Sequence, residues 1–135
     1  MSNILKLFRA KKECDNLELD LGGVVNDKYH GKNIKRSVLI SSTYSYELAK
    51  KNMIELEYGE LGENILVDFN PYSLDIGAKL QIGDVILEIS QKCPICKTLS
   101  CIDSKLPLLL KKDRGIFAKV TQEGTISCSD KILVL

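Results

Sequence analysis

A chain of 135 residues, 44% hydrophobic and 27% charged, suits one domain and is too short for two that each bury a good core. Its formal net charge of +1 gives no global argument for nucleic acid or a membrane surface as a partner. The first residues offer only Ile4, Leu5, Leu7 and Phe8, broken by Lys6, which is too short and too charged for a signal-peptide core, and no apolar run reaches the length of a membrane span. A single domain over residues 1–135, cytoplasmic and with reduced thiols, is the expectation.

In chain order, Ile4 to Phe8 is a first short strand candidate. Leu17, Leu19 and Leu21 then alternate with polar or charged residues up to Gly22-Gly23, the period of two that marks a half-buried strand. Val38 to Ser41 follows. Tyr44 to Lys51 reads as a helix, with Ser42 or Thr43 able to cap its first turn and Asn52 near its end. Ile65 to Val67 and Lys79 to Ile82 are further short strands. Val85, Leu87 and Ile89 alternate behind Gly83-Asp84, and Ile116, Ala118 and Val120 alternate behind Gly115. Between them, Leu106 to Lys112 suits a second short helix, with Pro107 acceptable in its first turn. Ile132 to Leu135 is the last strand candidate. Many short strands and few helices predict a mainly β, α+β domain built as a barrel or sandwich.

The charges are unevenly placed. Between Ile54 and Gln91 stand eight acids and one base, Lys79, whereas between Lys92 and Lys119 stand seven bases and two acids. Lys28, His30, Lys32, Lys35 and Arg36 form another basic group around Gly31. If the two basic segments meet in space they make an anion site; taken alone, such runs are more often solvated surface.

Five cysteines are an odd number for a disulfide framework, and three of them, Cys93, Cys96 and Cys101, fall within nine residues as C-x2-C-x4-C. Three roles compete with a plain apolar one. Thiolates two residues apart can share a tetrahedral zinc, although the fourth ligand would have to be His30, Cys14 or Cys128, far along the chain. A C-x-x-C pair can form a reversible disulfide, but the strand–turn–helix setting of a thioredoxin-like fold is missing. A single thiolate can carry sulfur or act as a nucleophile, with Lys92 and Lys97 favouring its ionised form. His30, the sole histidine, lies in a turn-rich loop where Asp27 could orient it. Gly62-Glu63-Asn64 reads as a tight turn leading into a strand.

These segments together resemble the MOSC family, named for the C-terminal domain of molybdenum-cofactor sulfurases. Four landmarks carry the resemblance in the family's order, from about Leu21 to Leu133. They are Gly23, Asp27, His30 and Gly31 followed by Arg36 to Ile40; Gly62-Glu63-Asn64; Ile82 to Gln91 leading into the cysteine; and Arg114 to Val120 followed by Gly124-Thr125. The resemblance implies a MOSC-type β-barrel and a cysteine that carries sulfur or holds the molybdenum cofactor (molybdopterin), with Cys96 the best match. Cys93 stands where many relatives have an arginine, and Ile95 replaces a frequent proline.

The resemblance further implies a persulfide or metal-ligating thiolate at Cys96, with Cys93 or Cys101 resolving the persulfide or sharing the ligand role. Asp27, His30, Lys32, Arg36, Glu63, Asn64, Lys97 and Arg114 would bind the pterin cofactor, the bases through its phosphate. The implied partner is a cysteine desulfurase or a molybdenum-cofactor biosynthesis or acceptor protein. Whether the chain turns over a substrate stays open; as an enzyme it would be sulfurtransferase-like, and small relatives also include reductases of N-hydroxylated bases. The alternative from a different class is a zinc-stabilised binding domain with Cys93, Cys96 and Cys101 as structural ligands.

Overall fold

The structure is a computed structural model and describes residues 2–9, 12–27, 30–32, 37–92 and 115–135. The described residues form β1 (Ser2–Arg9), β2 (Lys12–Cys14), β3 (Asn16–Asp20), β4 (Gly23–Val24), β5 (Val38–Ser42), α1 (Thr43–Lys51), β6 (Ile65–Val67), β7 (Lys79–Ile82), β8 (Val85–Lys92), β9 (Ile116–Gln122), β10 (Gly124–Ser127) and β11 (Lys131–Val134). The helix expected over 106–112 lies outside the described residues.

Eight strands form one sheet in the order β11-β7-β8-β9-β5-β6-β1-β2, and a further pairing of β11 with β1 closes it. Since β2 hangs on the far end of β1, the closed ring is a seven-stranded barrel. The closing rungs are Ser2 with Ile132 and Asn3 with Lys131. A small second sheet, β10-β3-β4, shares the barrel's core through Leu17, Leu19, Val24 and Ile126.

The period-two strands fold as their pattern dictates. Val85, Leu87 and Ile89 of β8 and Ile116, Ala118 and Val120 of β9 all point into one core, while the residues between them stay partly exposed. Each large aliphatic side chain taken fully out of water contributes about 1.5–3 kcal/mol. That core also holds Leu80 and Ile82 of β7 and Ile132 of β11.

One pair breaks the antiparallel rule: β5 and β6 run parallel, with Ile40 opposite Ile65 and Ser42 opposite Val67. Parallel neighbours need a crossover, and α1 supplies it. The helix starts where Ser42 Oγ accepts the Tyr44 N–H at 3.1 Å and ends with Asn52 Nδ2 donating to the Leu48 carbonyl at 2.9 Å. Its inner face, Tyr46 and Ala49, packs with Phe8, Ile54, Leu61 and Leu66 as a second cluster outside the barrel. Strand β6 is therefore covered on both faces, Ile65 and Val67 inward and Leu66 outward. A doubly covered strand is uniformly apolar, which is why its three residues do not alternate in character.

Candidate functional site

The loop after β4 is folded back on the strand before it. Asp27 N–H donates to the Val24 carbonyl at 3.1 Å, His30 N–H to the Asp27 carbonyl at 3.1 Å, and Gly31 N–H to the Gly22 carbonyl at 2.8 Å. The return brings the His30 ring down on Gly22, where an added Cβ would lie 2.8 Å from Nε2, so any side chain there collides with the imidazole. Gly23 has φ +118, a conformation that costs a side-chain-bearing residue, and faces Ser37 just ahead of β5. The adjacent glycines thus let the histidine fold back.

His30 Nε2 lies 2.6 Å from Asp20 Oδ1, and the same oxygen accepts the Gly22 N–H at 2.7 Å. The bond to His30, followed by the one from Gly22, holds the Asp20 carboxyl below the usual carboxylate range. Asp27, expected to orient His30, does so only through its backbone carbonyl. Its side chain is turned the other way, into Asn64, and the ring reaches back ten residues to the end of β3 instead. Pairing with Asp20 fixes Nε2, leaving Nδ1 as the ring nitrogen that is not committed to that contact. Lys32 is exposed two residues further on.

Asn64 ties four segments together. Its Nδ2 donates to Asp27 Oδ2 at 3.1 Å and to the Phe8 carbonyl at 3.2 Å, and its Oδ1 accepts the Leu39 N–H at 3.0 Å. The backbone doubles these links: Asn64 N–H donates to the Leu39 carbonyl, and Phe8 N–H donates to the Asn64 carbonyl, both at 2.8 Å. Two landmarks far apart in sequence, Asp27 and Asn64, are thus in direct contact.

Glu63 turns away from them. Its carboxylate is 2% exposed and accepts from the Tyr46 hydroxyl at 2.6 Å and the Gly59 N–H at 3.2 Å. Burial first, then the Glu63 charge and hydrogen bond, push the Tyr46 hydroxyl far above the usual tyrosine range. The acid ties α1 to the turn at Gly59 through these two bonds.

The other end of the site is where β8 meets β9. Lys92, the last residue of β8, pairs with Ile116, the first of β9, so both ends of the cysteine-bearing stretch are fastened to the same rung. Lys92 Nζ donates to the Tyr72 carbonyl oxygen. The Tyr72 hydroxyl accepts the Ser42 N–H at 2.8 Å and meets Ser45 Oγ at 2.5 Å; burial pushes its pKa up to about 12. Sequence reading missed Tyr72 and Asp20, because neither stands in a motif and both act on residues distant in the chain.

Of the remaining expected site residues, Arg36, Cys93, Cys96, Lys97, Cys101 and Arg114 lie outside the described residues, as does Lys28. The expected meeting of the two basic segments falls on them. Among the described residues no three His, Cys, Asp or Glu side chains gather as a metal site, and no helix is long and apolar enough to cross a membrane.

The sequence model described as the MOSC domain matches residues 26–133. Among solved structures, the chain is similar to the YUAD protein from Bacillus subtilis at 19% identity and a TM-score of 0.78, over 98% of this chain and 94% of that one. It is also similar to YiiM from Escherichia coli at 18% identity and a TM-score of 0.80, over 100% of this chain and 70% of that one. YiiM from Geobacillus stearothermophilus matches at 17% identity and a TM-score of 0.66, over 77% of this chain and 56% of that one. At such identities the likeness is one of fold. No curated protein matches the chain.

Proposed function

This chain belongs to the MOSC domain family, and on that ground we propose that it works as a sulfur-carrier or cofactor-binding module through the Cys96 thiolate. MOSC domains are generally linked to molybdenum-cofactor binding and sulfurase-like roles. The observation that carries the finer reading is the fastening of β8 to β9 at Lys92 and Ile116. The match spans Cys93 to Cys101, and that stretch springs from one paired rung of a closed barrel, a rigid base for a reactive group.

In the carrier role, the Cys96 thiolate attacks the outer sulfur of a donor persulfide. The donor's S–S bond breaks, a new S–S bond forms on Cys96, and the donor leaves as a thiolate. Cys93 or Cys101 then attacks the Cys96 sulfur, forming a disulfide and releasing the outer sulfur as hydrosulfide, unless an acceptor protein takes it first. A cysteine desulfurase is the fitting donor, and a molybdenum-cofactor biosynthesis or acceptor protein the fitting recipient.

The donor set also fits the molybdenum cofactor, which when bound supplies a soft, sulfur-ligated metal centre matched to a thiolate. On the described side, His30 and Lys32 stand in the solvent-facing loop after β4, a setting for an anionic phosphate. Arg36, Lys97 and Arg114 would add charge to that hold, and Asp27 and Asn64 would shape it.

The test is Cys96→Ser, an exchange of nearly equal volume that should cost on the order of 1 kcal/mol if the thiol holds no metal. Each protein is incubated with a desulfurase and cysteine and weighed intact, with metal analysis alongside. Wild type should gain one sulfur atom and the variant none, both folded. A variant that loads like wild type removes the role from Cys96. One that unfolds and releases zinc makes the zinc-stabilised binding domain the correct reading.

A further inference from the structure

Two cysteines outside the cysteine-rich stretch come together where the end of β10 meets the start of β3. Cys14 ends β2 opposite Leu7 of β1, and its thiol donates to the Leu7 carbonyl oxygen at 3.6 Å. Cys128 follows β10, where its own N–H donates to the Asp15 carbonyl at 3.2 Å. Both cysteines thus stand where the end of β10 meets the start of β3, and the charge on Cys128 acts on the Cys14 thiol. The bond from Cys128 to Asp15, the residue after Cys14, also brings the two backbones together as a disulfide requires. Cys128 is exposed and Cys14 partly so, and neither is bonded to another cysteine.

We propose that Cys14 and Cys128 form a second thiol site, which takes a low-molecular-weight disulfide as its substrate and closes to an intramolecular disulfide. One protein thiolate attacks the small disulfide, forming a mixed disulfide and expelling one small thiolate. The second protein thiolate then attacks the protein sulfur of that bond and expels the other. Two protein thiols are oxidised by two electrons, and one small disulfide is reduced to two thiols. Burial is the largest influence on both thiols and pushes them up, with Asp15 and Glu13 adding to it and Arg9 and Lys6 opposing it. Thiolate is scarce at neutral pH as a result, so closure is slow there and quickens in mild alkali. The site does not depend on the role of Cys96.

The experiment uses the full chain, reduced, desalted and then exposed to glutathione disulfide. After alkylation of free thiols, non-reducing tryptic mapping should find peptide 13–28 joined to peptide 120–131, and Cys14→Ser and Cys128→Ser should each abolish that species. The oxidised wild type should also melt higher, by on the order of 10 °C, because the bond closes a loop of nearly the whole chain. Glutathione retained singly on Cys14 or Cys128, or either of them joined to Cys93, Cys96 or Cys101, overturns the proposal. The wild-type map decides between these outcomes even if a serine variant fails to fold.

Discussion

Asn64→Asp preserves the shape of a side chain and converts its donor end into an acceptor. The introduced oxygen would face the Asp27 carboxylate across the 3.1 Å now spanned by a hydrogen bond, and the Phe8 carbonyl across 3.2 Å. Two unit charges at that range repel by ~5 kcal/mol at an effective dielectric of ~20. Asp27 is partly exposed, so solvent reduces this figure. The pair can also escape by sharing one proton, which at pH 7 costs about 4 kcal/mol for a carboxyl whose ordinary pKa is ~3.9. With ~1 kcal/mol for the lost bond to Phe8, the variant should be about 3–5 kcal/mol less stable than wild type at pH 7.

The deficit has a predictable pH dependence. One carboxyl of the new pair has a folded pKa raised above its unfolded value. Its stabilising proton is fully present below about pH 4 and is lost as pH rises through the raised value. Urea titrations at pH 7 and pH 5 should therefore show a smaller gap at the lower pH. Adding Asp27→Asn restores an amide opposite a carboxylate, with the roles exchanged, and should recover most of the loss. A gap under ~1 kcal/mol, a gap equal at both pH values, or no recovery in the double variant would refute the reasoning.

Tyr46→Phe should cost about 2–4 kcal/mol in urea unfolding, because it takes the hydroxyl from a buried carboxylate and from the Gly59 and Leu61 N–H groups. Wild type, whose folded Tyr46 is held neutral, should also lose stability as pH climbs past the unfolded value of about 10, a slope the Phe variant lacks. His30→Asn should let the Asp20 carboxyl titrate back toward its ordinary range, read by carboxyl carbon NMR. Asp20's contribution is present above the unfolded carboxyl range and lost as pH falls through the lowered folded value, so this variant should lose less stability on acidification. An unchanged Asp20 titration would place the cause elsewhere.

The barrel strands were legible because their pattern and their environment coincide. Leu17 and Leu19, or Val85, Leu87 and Ile89, alternate since only one face of each strand is buried. The start of α1 was legible for a similar reason, as Ser42 has the side chain that the first turn needs. Strands β2, β4 and β10 were not read out, being two to four residues long, and β2 carries no buried residue. Strands β2 and β4 are set by pairing with the strands just before them, Leu7 opposite Cys14 and Leu19 opposite Val24, and β10 by a partner far away in the chain, Leu17 opposite Ile126. The site divides in the same way. Asp27, His30 and Asn64 stood out through the family's spacing, whereas the Asp20–His30 pair and the Tyr72–Lys92 contact exist only once the chain has folded. Glu63 was singled out for its position, yet its direction is set by the helix packed over it.

The rungs between Ser2 and Ile132 and between Asn3 and Lys131 make the barrel a clasp whose two halves are almost the whole sequence apart. The hairpin β7–β8 can zip early, since its partners are near in the chain. The seam cannot, and the entropy of bringing its sides together has to be met before any bond there returns a gain. Until then β1 and β11 each keep a bare edge of unpaired amides and carbonyls, the kind of edge that recruits strands from other molecules. Refolding yield should accordingly fall with protein concentration even though the closed ring is safe. The vulnerable species is the open barrel, and its lifetime is set by how fast the last strand finds the first.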